Sequence, residues 1–193
     1  YTQVRVEANP NFLIETGARV EKVSHLPQHT NYQIGLTIFE DTKLEWVTGY
    51  RAPSAAQKYG LFQNAELEPE TSRTYSLTQN FSWEGQGEVS ITLFETSFDD
   101  YIETRSLGMG VLQYQNTSKV KTRGVESTAN FIVNSEDRIQ LAYSYQEPWD
   151  QVRHEVLRRR PRVSGSARFF HTVENWRWML EGTGVGNRYD FFG

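Results

Sequence analysis

Aromatic and basic side chains gather at the ends of the long polar connections of this sequence, where their chemistry suits binding. They are Tyr59, Phe62, Tyr101, Trp149 and Arg158. Flat apolar rings fit the surface of a flat ligand, and a guanidinium fits its anionic groups. Loop aromatics also pack within their own loops, so these five residues are candidate ligand contacts rather than an assembled site.

The titratable clusters of the sequence do not predict catalysis or a metal site. His25 and His29 are four residues apart, but a proline lies between them in a loop, so the helical geometry of a zinc pair is lost. Asp99, Asp100 and Glu103 form an acidic group, yet adjacent carboxylates on a strand point to opposite faces. A solvated strand end explains them better than a glycosidase or calcium site.

Sequence motifs for enzymes and cofactors are also absent. The glycine-rich run at residues 182–186 resembles a nucleotide fingerprint but has no helix after it to hold a phosphate. The sequence contains no GxSxG, HExxH or Walker A motif and no cysteine. We therefore expect a protein that is not an enzyme and that has no cofactor.

The elements that position the candidate contacts are strands, and residues 64–103 show this best. Tyr75, Leu77, Phe81 and Trp83 alternate with short uncharged residues, and the alternation resumes after a turn at residues 84–87. A soluble sheet usually presents lysine and glutamate on its wet face. An apolar face with aromatic ends, opposite a face of threonine, serine and asparagine, is typical of a transmembrane β-barrel.

The same pattern recurs along the chain and predicts an all-β fold. We expect an antiparallel meander of about ten long strands, which is a partial segment of a transmembrane β-barrel. Short turns alternate with long loops, the latter including residues 104–110 and 146–160, as in outer-membrane barrels. A change of phase between Val120 and Val125 predicts a bulge near residues 123–124. Lipid-facing and lumen-facing sets follow, namely Tyr75, Leu77, Phe81, Tyr143, Tyr145, Trp176 and Trp178 outward, and Ser76, Thr78, Gln140 and Ser144 inward.

Composition agrees with a barrel and limits the partners. The 193 residues have a mean hydropathy of -0.63 and no run near the ~18 apolar residues of a helical span. A net charge of -4 argues against nucleic acid. Residues 1–8 already alternate as a strand and residues 191–193 do not close a barrel, so we expect an internal piece of a longer protein.

An arginine-rich patch forms the strongest local concentration of positive charge. It comprises Arg153, His154, Arg158, Arg159, Arg160 and Arg162. On a loop outside the membrane, such a patch suits outer-leaflet phosphates or an anionic ligand. A solvated loop without a partner is the alternative.

Four short segments carry a resemblance to a known family. They are Arg51-Ala52-Pro53-Ser54, the run NAELEPETSR at residues 64–73, Tyr114-Gln115-Asn116 and Arg123-Gly124-Val125-Glu126. Their order and spacing resemble the C-terminal barrel half of TonB-dependent outer-membrane receptors. The runs LRRRPR (157–162) and GNRYD (186–190) look most like the cobalamin-transporter branch, although siderophore receptors share much of them.

The resemblance implies that residues 1–193 are part of a receptor β-barrel domain, with the plug domain and closing strands elsewhere. It implies uptake of a scarce metal chelate, either cobalamin or a ferric siderophore, through energy-coupled transport in the bacterial outer membrane. It also implies TonB as a partner through the missing N-terminal part, and contact with membrane lipid and lipopolysaccharide. The alternatives are a passive porin and a soluble carbohydrate-binding β-sandwich.

Overall fold

The computed structural model describes residues 2–9, 11–24, 26–157 and 160–187, and only the backbone of Ala8, Thr117 and Ser118. The first strands are β1 (Thr2–Asn9), β2 (Phe12–Glu21), β3 (His29–Ile38) and β4 (Thr42–Arg51), followed by the helix α1 (Ala55–Tyr59). The remaining strands are β5 (Glu70–Trp83), β6 (Gly87–Gly108), β7 (Val111–Ile132), β8 (Asp137–Asp150), β9 (Glu155–Val156), β10 (Val163–Val173) and β11 (Trp176–Val185).

All eleven strands of the described residues belong to one sheet. Its order is β1-β2-β3-β4-β5-β6-β7-β8-β10-β11, every pairing is antiparallel, and the short β9 pairs with the end of β8. The predicted all-β meander is therefore confirmed, as part of an unclosed barrel. A single curved layer has no second sheet to pack on, so the sandwich alternative does not apply to it.

Strand register aligns the apolar residues in rows across the sheet. One row crosses nine strands without a polar residue: Val6, Ile14, Leu36, Leu44, Leu77, Leu93, Val125, Tyr145 and Val163. We call this the apolar row and the face that carries it the outer face. The residues predicted to face lipid share the outer face, and the residues predicted to face the lumen share the opposite, inner face.

The inner face is held by polar pairs between neighbouring strands. Hydroxyl pairs join Thr78 to Thr92 and Thr74 to Thr96, both at 2.9 Å. Nearer β3, the Glu45 carboxylate accepts a hydrogen bond from Gln33 at 2.8 Å and pairs with Lys43 at 2.9 Å. These pairs give the polar side chains of the inner face partners on the neighbouring strands.

The bounds of two predicted loops are wrong, because part of each is paired strand. The expected loop at 104–110 shrinks to a tight turn at Met109 and Gly110, which have φ angles of 49° and 78°. The 22-residue strands β6 and β7 are each about 70 Å long, well beyond the ~25 Å apolar band of a barrel. The expected loop at 146–160 begins only after Asp150, because residues 146–150 pair with β7.

The predicted bulge near residues 123–124 is also wrong. The register of β6 with β7 is unbroken from Gly87↔Phe131 to Asp99↔Lys119, and it shifts only between Ser106 and Gly108. The phase change has a different cause. Val120 lies on the inner face and is only 1% exposed, so it is an apolar residue on the face that is polar elsewhere along β7.

The buried apolar residues among those described lie at one end of the sheet. They are Leu67, Ile102, Val120 and Leu157. This is the end at which the long connections 22–28, 52–69 and 151–162 emerge, and we call it the loop end. Within the described part of the chain, no helix is long and apolar enough to cross a membrane.

Candidate functional site at the loop end

The connection from β4 to β5 is an ordered structure and begins with a capped helix. The Ser54 hydroxyl accepts a hydrogen bond from the Gln57 N–H at 3.2 Å, and the Gln57 side chain accepts one from the Ser54 N–H at 2.9 Å. This reciprocal capping box fixes the start of α1. Tyr59 ends the helix, and Phe62 follows with a left-handed φ of 64°.

Two asparagines fasten this connection to β7. Asn64 donates to the Tyr114 carbonyl at 3.0 Å, and Tyr114 donates its N–H to the Phe62 carbonyl at 2.8 Å. Asn116 accepts from the Glu68 N–H and donates to the Glu68 carbonyl, both at 3.0 Å, and it also donates to the Asp100 carbonyl at 2.6 Å. Asn64 and Asn116, which lie in segments that resemble the receptor family, therefore have a structural role, because they hold residues 62–68 against the sheet.

An ion pair between the exposed Arg51 and the buried Glu70 joins the end of β4 to the start of β5. Glu70 is 5% exposed and accepts hydrogen bonds from two nitrogens of Arg51, Nε and Nη2, the latter at 2.5 Å. The same carboxylate accepts the Ile102 N–H at 2.5 Å. The hydrogen bond to Glu70 raises the pKa of Arg51 above its usual value, so the guanidinium stays charged at any physiological pH.

These elements surround a cavity of about 440 Å³ on the inner face, which we call the loop-end cavity. Its aromatic wall is Phe94, Phe98 and Tyr101, and the rings of Phe98 and Tyr101 meet edge to face at 5.5 Å. Arg160 lines the cavity and donates to the Tyr101 hydroxyl at 2.8 Å. Arg51 is a second lining cation, but it is paired with Glu70, and the carboxylates of Glu70 and Glu126 also line the cavity. The three rings and the guanidinium of Arg160 together suit a ligand that has planar and anionic parts.

The connection from β8 to β10 covers the cavity from another side. Asp150 is 1% exposed, and its carboxylate caps the turn by accepting the N–H groups of Val152 at 2.9 Å and Arg153 at 3.0 Å. The other carboxylate oxygen lies 3.4 Å from Arg105 of β6. Leu157 is buried and lines the cavity. The β4–β5 connection and the β8–β10 connection are therefore both held to the β6–β7 hairpin by hydrogen bonds.

The five sequence candidates lie in different environments. Tyr101 lines the cavity, whereas Tyr59 is 73% exposed and Phe62 is 37% exposed, on the connection held to β7. Trp149 lies on strand β8 and not in a loop, and it pairs with Lys121 on the outer face. Arg158 lies outside the described residues. The structure therefore brings one candidate into the cavity and separates Trp149 from it by the thickness of the sheet.

Sequence reasoning missed the other principal lining residues, Arg51, Phe94, Phe98 and Arg160. Phe94 and Phe98 carried a signal, because they are large aromatic residues on the otherwise polar inner face of β6. The alternation along β6 does not assign Tyr101 to the inner face. Asp100 before it has a φ of 56°, which interrupts the alternation and lets two residues of opposite parity share the cavity.

The acidic residues and histidines that were considered as catalytic or metal-binding groups have other contacts in the structure. Asp99 pairs with Arg73 at 2.8 Å and Glu103 with Arg105 at 2.8 Å, so these carboxylates are partly neutralised. His29 stacks on Tyr50 with ring centroids 4.6 Å apart, and His25 lies outside the described residues. Among the residues that the structure describes, no group of three or more His, Cys, Asp or Glu could hold a metal ion.

Comparison with known proteins gives a family match and several similar structures. The family model described as TonB dependent receptor-like, beta-barrel matches residues 1–193. A structure of the ferric enterobactin receptor PfeA superposes with a TM-score of 0.74 at 18% identity, covering 95% of this chain and 32% of that one. The siderophore receptor PirA from Pseudomonas aeruginosa gives 0.71 at 17% identity, with 96% and 36% covered. The copper transporter OprC gives 0.72 at 11% identity, with 95% and 33% covered. The chain therefore spans about a third of the length of these neighbours.

Proposed function

The chain belongs to the family of TonB-dependent receptor β-barrels of the bacterial outer membrane, and from this premise we propose that it is part of a receptor for a scarce metal chelate. The chelate is a ferric siderophore or cobalamin, taken up by energy-coupled transport. The observation that carries the proposal is the loop-end cavity, in which aromatic rings and arginines lie on the inner face of a barrel wall.

The chemistry of the cavity favours a ligand of this class. A metal chelate offers flat conjugated surfaces and anionic groups, and both have partners in the cavity. Tyr101 and Phe98 present ring surface, and Arg160 presents a positive charge, whereas the charge of Arg51 is paired with Glu70. The neighbouring structures include receptors whose names refer to ferric enterobactin and ferripyoverdine. These names make a ferric siderophore the first probe and cobalamin the second.

Two of the other sequence candidates, Tyr59 and Phe62, are proposed to contact the ligand before it enters the cavity. Tyr59 and Phe62 lie on the connection that Asn64 and Asn116 hold against β7. An exposed ring on an anchored segment is suited to first capture, because little conformational entropy is lost when the ligand arrives. Energy coupling requires TonB, which we propose binds through a part of the receptor outside this chain.

A passive porin is the second candidate, since a barrel wall with a polar inner face also suits diffusion. The two functions differ in their need for energy. In cells with the full-length receptor, uptake of a radiolabelled ferric siderophore or cobalamin should stop when the proton-motive force is dissipated, while binding at the surface persists. Uptake that continues at the same rate without the proton-motive force would support the porin instead.

The cavity itself is tested by a paired variant in the same receptor. We expect Tyr101→Ala with Arg160→Gln to weaken binding of the chelate at least about tenfold, which corresponds to about 1.4 kcal/mol. The matched control is Tyr143→Ala with Arg73→Gln, which removes the same residue types from the outer face. Equal affinities of the two variants for both chelates would exclude the cavity as the binding site.

A further inference from the structure

Asp150 is a buried carboxylate near the loop-end cavity, but it does not line the cavity. Its side chain is 2% exposed and lies on the inner face beside Val120, with which it pairs in register. Oδ1 accepts the N–H groups of Val152 and Arg153, and Oδ2 lies 3.4 Å from Nη2 of Arg105. A carboxylate is costly to bury without such partners. Its orientation is therefore fixed by three donors from two segments of the chain.

The turn that Asp150 caps folds the chain back onto its own strand. His154 has a left-handed φ of 56° and donates its N–H to the Asp150 carbonyl at 2.9 Å. The two residues of β9 then pair with Trp149 and Asp150. Directly after β9, Leu157 donates its N–H to the Pro148 carbonyl at 3.0 Å. The turn therefore determines where the connection lies when it reaches Leu157, which lines the cavity.

Arg160 comes three residues after Leu157, and the chain is held again directly after it. Gln146 Nε2 donates to the Pro161 carbonyl at 3.2 Å, and the Gln146 N–H donates to the Arg162 carbonyl at 2.8 Å. The backbone on both sides of Arg160 is thus attached to β8, by Leu157 on one side and by Gln146 on the other. The position of Arg160 depends on both attachments.

Arg105 links this connection to the strand that carries the aromatic wall of the cavity. Tyr101 and Arg105 are four residues apart on β6, in unbroken register with β7, so both lie on the same face. Arg105 reaches Asp150, and Arg160 reaches the Tyr101 hydroxyl at 2.8 Å. The same two segments are therefore joined at two points, and the second of these contacts lies in the cavity.

We propose that Asp150 is a positioning residue, which holds Arg160 beside Tyr101 so that the guanidinium meets the anionic group of the chelate. This role rests on the proposed function, because it assigns Arg160 to the ligand. Asp150 does not line the cavity, so its effect on the chelate passes through other residues. A cation that is fixed before the ligand arrives loses less entropy on binding. Loss of the Asp150 carboxylate should therefore weaken binding without removing a ligand contact.

The test is a double-mutant cycle in the full-length receptor, purified in detergent. The probes are an iron(III) tris-catecholate and cyanocobalamin, and equilibrium dialysis measures the dissociation constant. Asparagine keeps an oxygen that accepts the N–H groups of the turn, but it loses the charge that pairs with Arg105. We expect Asp150→Asn to raise the dissociation constant about fivefold in the unmodified receptor, and by less than about twofold in a receptor with Arg160→Gln. An equal rise in both backgrounds overturns the positioning role.

The single variants separate this role from the proposed function. Arg160→Gln alone should raise the dissociation constant about tenfold. No change would contradict the cavity as the binding site, and with it any role of Asp150 in binding. A rise with Arg160→Gln but none with Asp150→Asn would overturn the positioning role alone.

The matched control is Asp137→Asn, the same substitution at the opposite end of β8, where the carboxylate pairs with His171 at 2.6 Å. This variant should bind the chelate as the unmodified receptor does. A rise in the dissociation constant as large as that with Asp150→Asn would show a general effect of lost charge and overturn the assignment.

Hydrogen exchange without any chelate tests the position of the connection itself. Asp150→Ala removes the acceptor of the turn, so the amides of Val152 and Arg153 should exchange about fivefold faster than in the unmodified receptor. Asp150→Asn keeps an acceptor and should give an intermediate rate. Mass spectrometry of the receptor in detergent measures both. Unchanged exchange in Asp150→Ala would overturn the role of Asp150 even in a receptor that binds the chelate.

Discussion

Phe94 and Gly124 pair across β6 and β7, and each explains the residue type of the other. A Cβ added at Gly124 would lie 2.3 Å from the Tyr145 carbonyl oxygen and 2.7 Å from Phe94 Cζ. Only glycine leaves room there for the ring that forms part of the cavity wall. The glycine of the Arg-Gly-Val-Glu segment is thus required by packing, at the residue beside the cavity.

Substituting Gly124 therefore tests the packing at the scale of one residue. Gly124→Ala should destabilise the full-length barrel by about 1–3 kcal/mol, the usual cost of overpacking, because one clashing atom belongs to the backbone and cannot rotate away. Urea unfolding in detergent measures the change. The control is Gly182→Ala, where an added Cβ would meet nothing within 4 Å. If both variants unfold at the same urea concentration as the parent, the close approach is not a constraint.

At the scale of elements, the connection at residues 52–69 is ordered by side chains from other elements. Its own helix has five residues, which is too short to be stable alone. Asn116 of β7 makes three hydrogen bonds that reach Glu68 and Asp100. An element that lacks its own core is therefore held by the tall β6–β7 hairpin.

Removing this attachment should open the connection. Asn116→Ala removes hydrogen bonds worth about 1 kcal/mol each, so we expect cleavage by trypsin after Lys58 to be faster by about tenfold or more. Asn130→Ala is the matched control, since it removes one asparagine bond, to Glu88, at the opposite end of the same strands. Unchanged cleavage in Asn116→Ala would mean that the capping box and ion pair hold the connection by themselves.

At the scale of the whole molecule, the described strands form a sheet that is open on two sides. β1 and β11 each pair with one neighbour only, and unpaired strand edges attract other chains. The outer face adds exposed aromatic residues, such as Trp176 at 70% and Trp178 at 64% exposure. The buried apolar side chains of the described residues lie at the loop end, so the sheet has no extensive core to stabilise it in water.

The 193-residue chain produced alone should accordingly aggregate in detergent-free buffer. Apolar outer rows and open edges would associate between copies, because neither lipid nor further strands cover them. Size-exclusion chromatography and a thermal melt monitored by circular dichroism check this expectation, with a detergent-refolded sample for comparison. A monomer that melts cooperatively in plain buffer would contradict it.

The sequence by itself determined the strands, their order and the two faces of the sheet. Alternation has a period of two, so residues such as Leu77 and Thr78 are assigned to opposite faces without knowledge of their partners. Local turn chemistry set the short connections in the same way. The segments that resemble the receptor family, one of which contains Asn64 and Glu70, also indicated an outer-membrane β-barrel.

Only the tertiary structure decided the loop end and its cavity. The height of the β6–β7 hairpin depends on pairing between distant residues. Val120 is buried on the inner face, which the alternation along its own strand does not indicate. The backbone turn at Asp100 places Tyr101 beside Phe98, while register places Trp149 on the outer face beside Lys121. These outcomes rest on contacts between residues far apart in the chain, and a local pattern carries no information about such contacts.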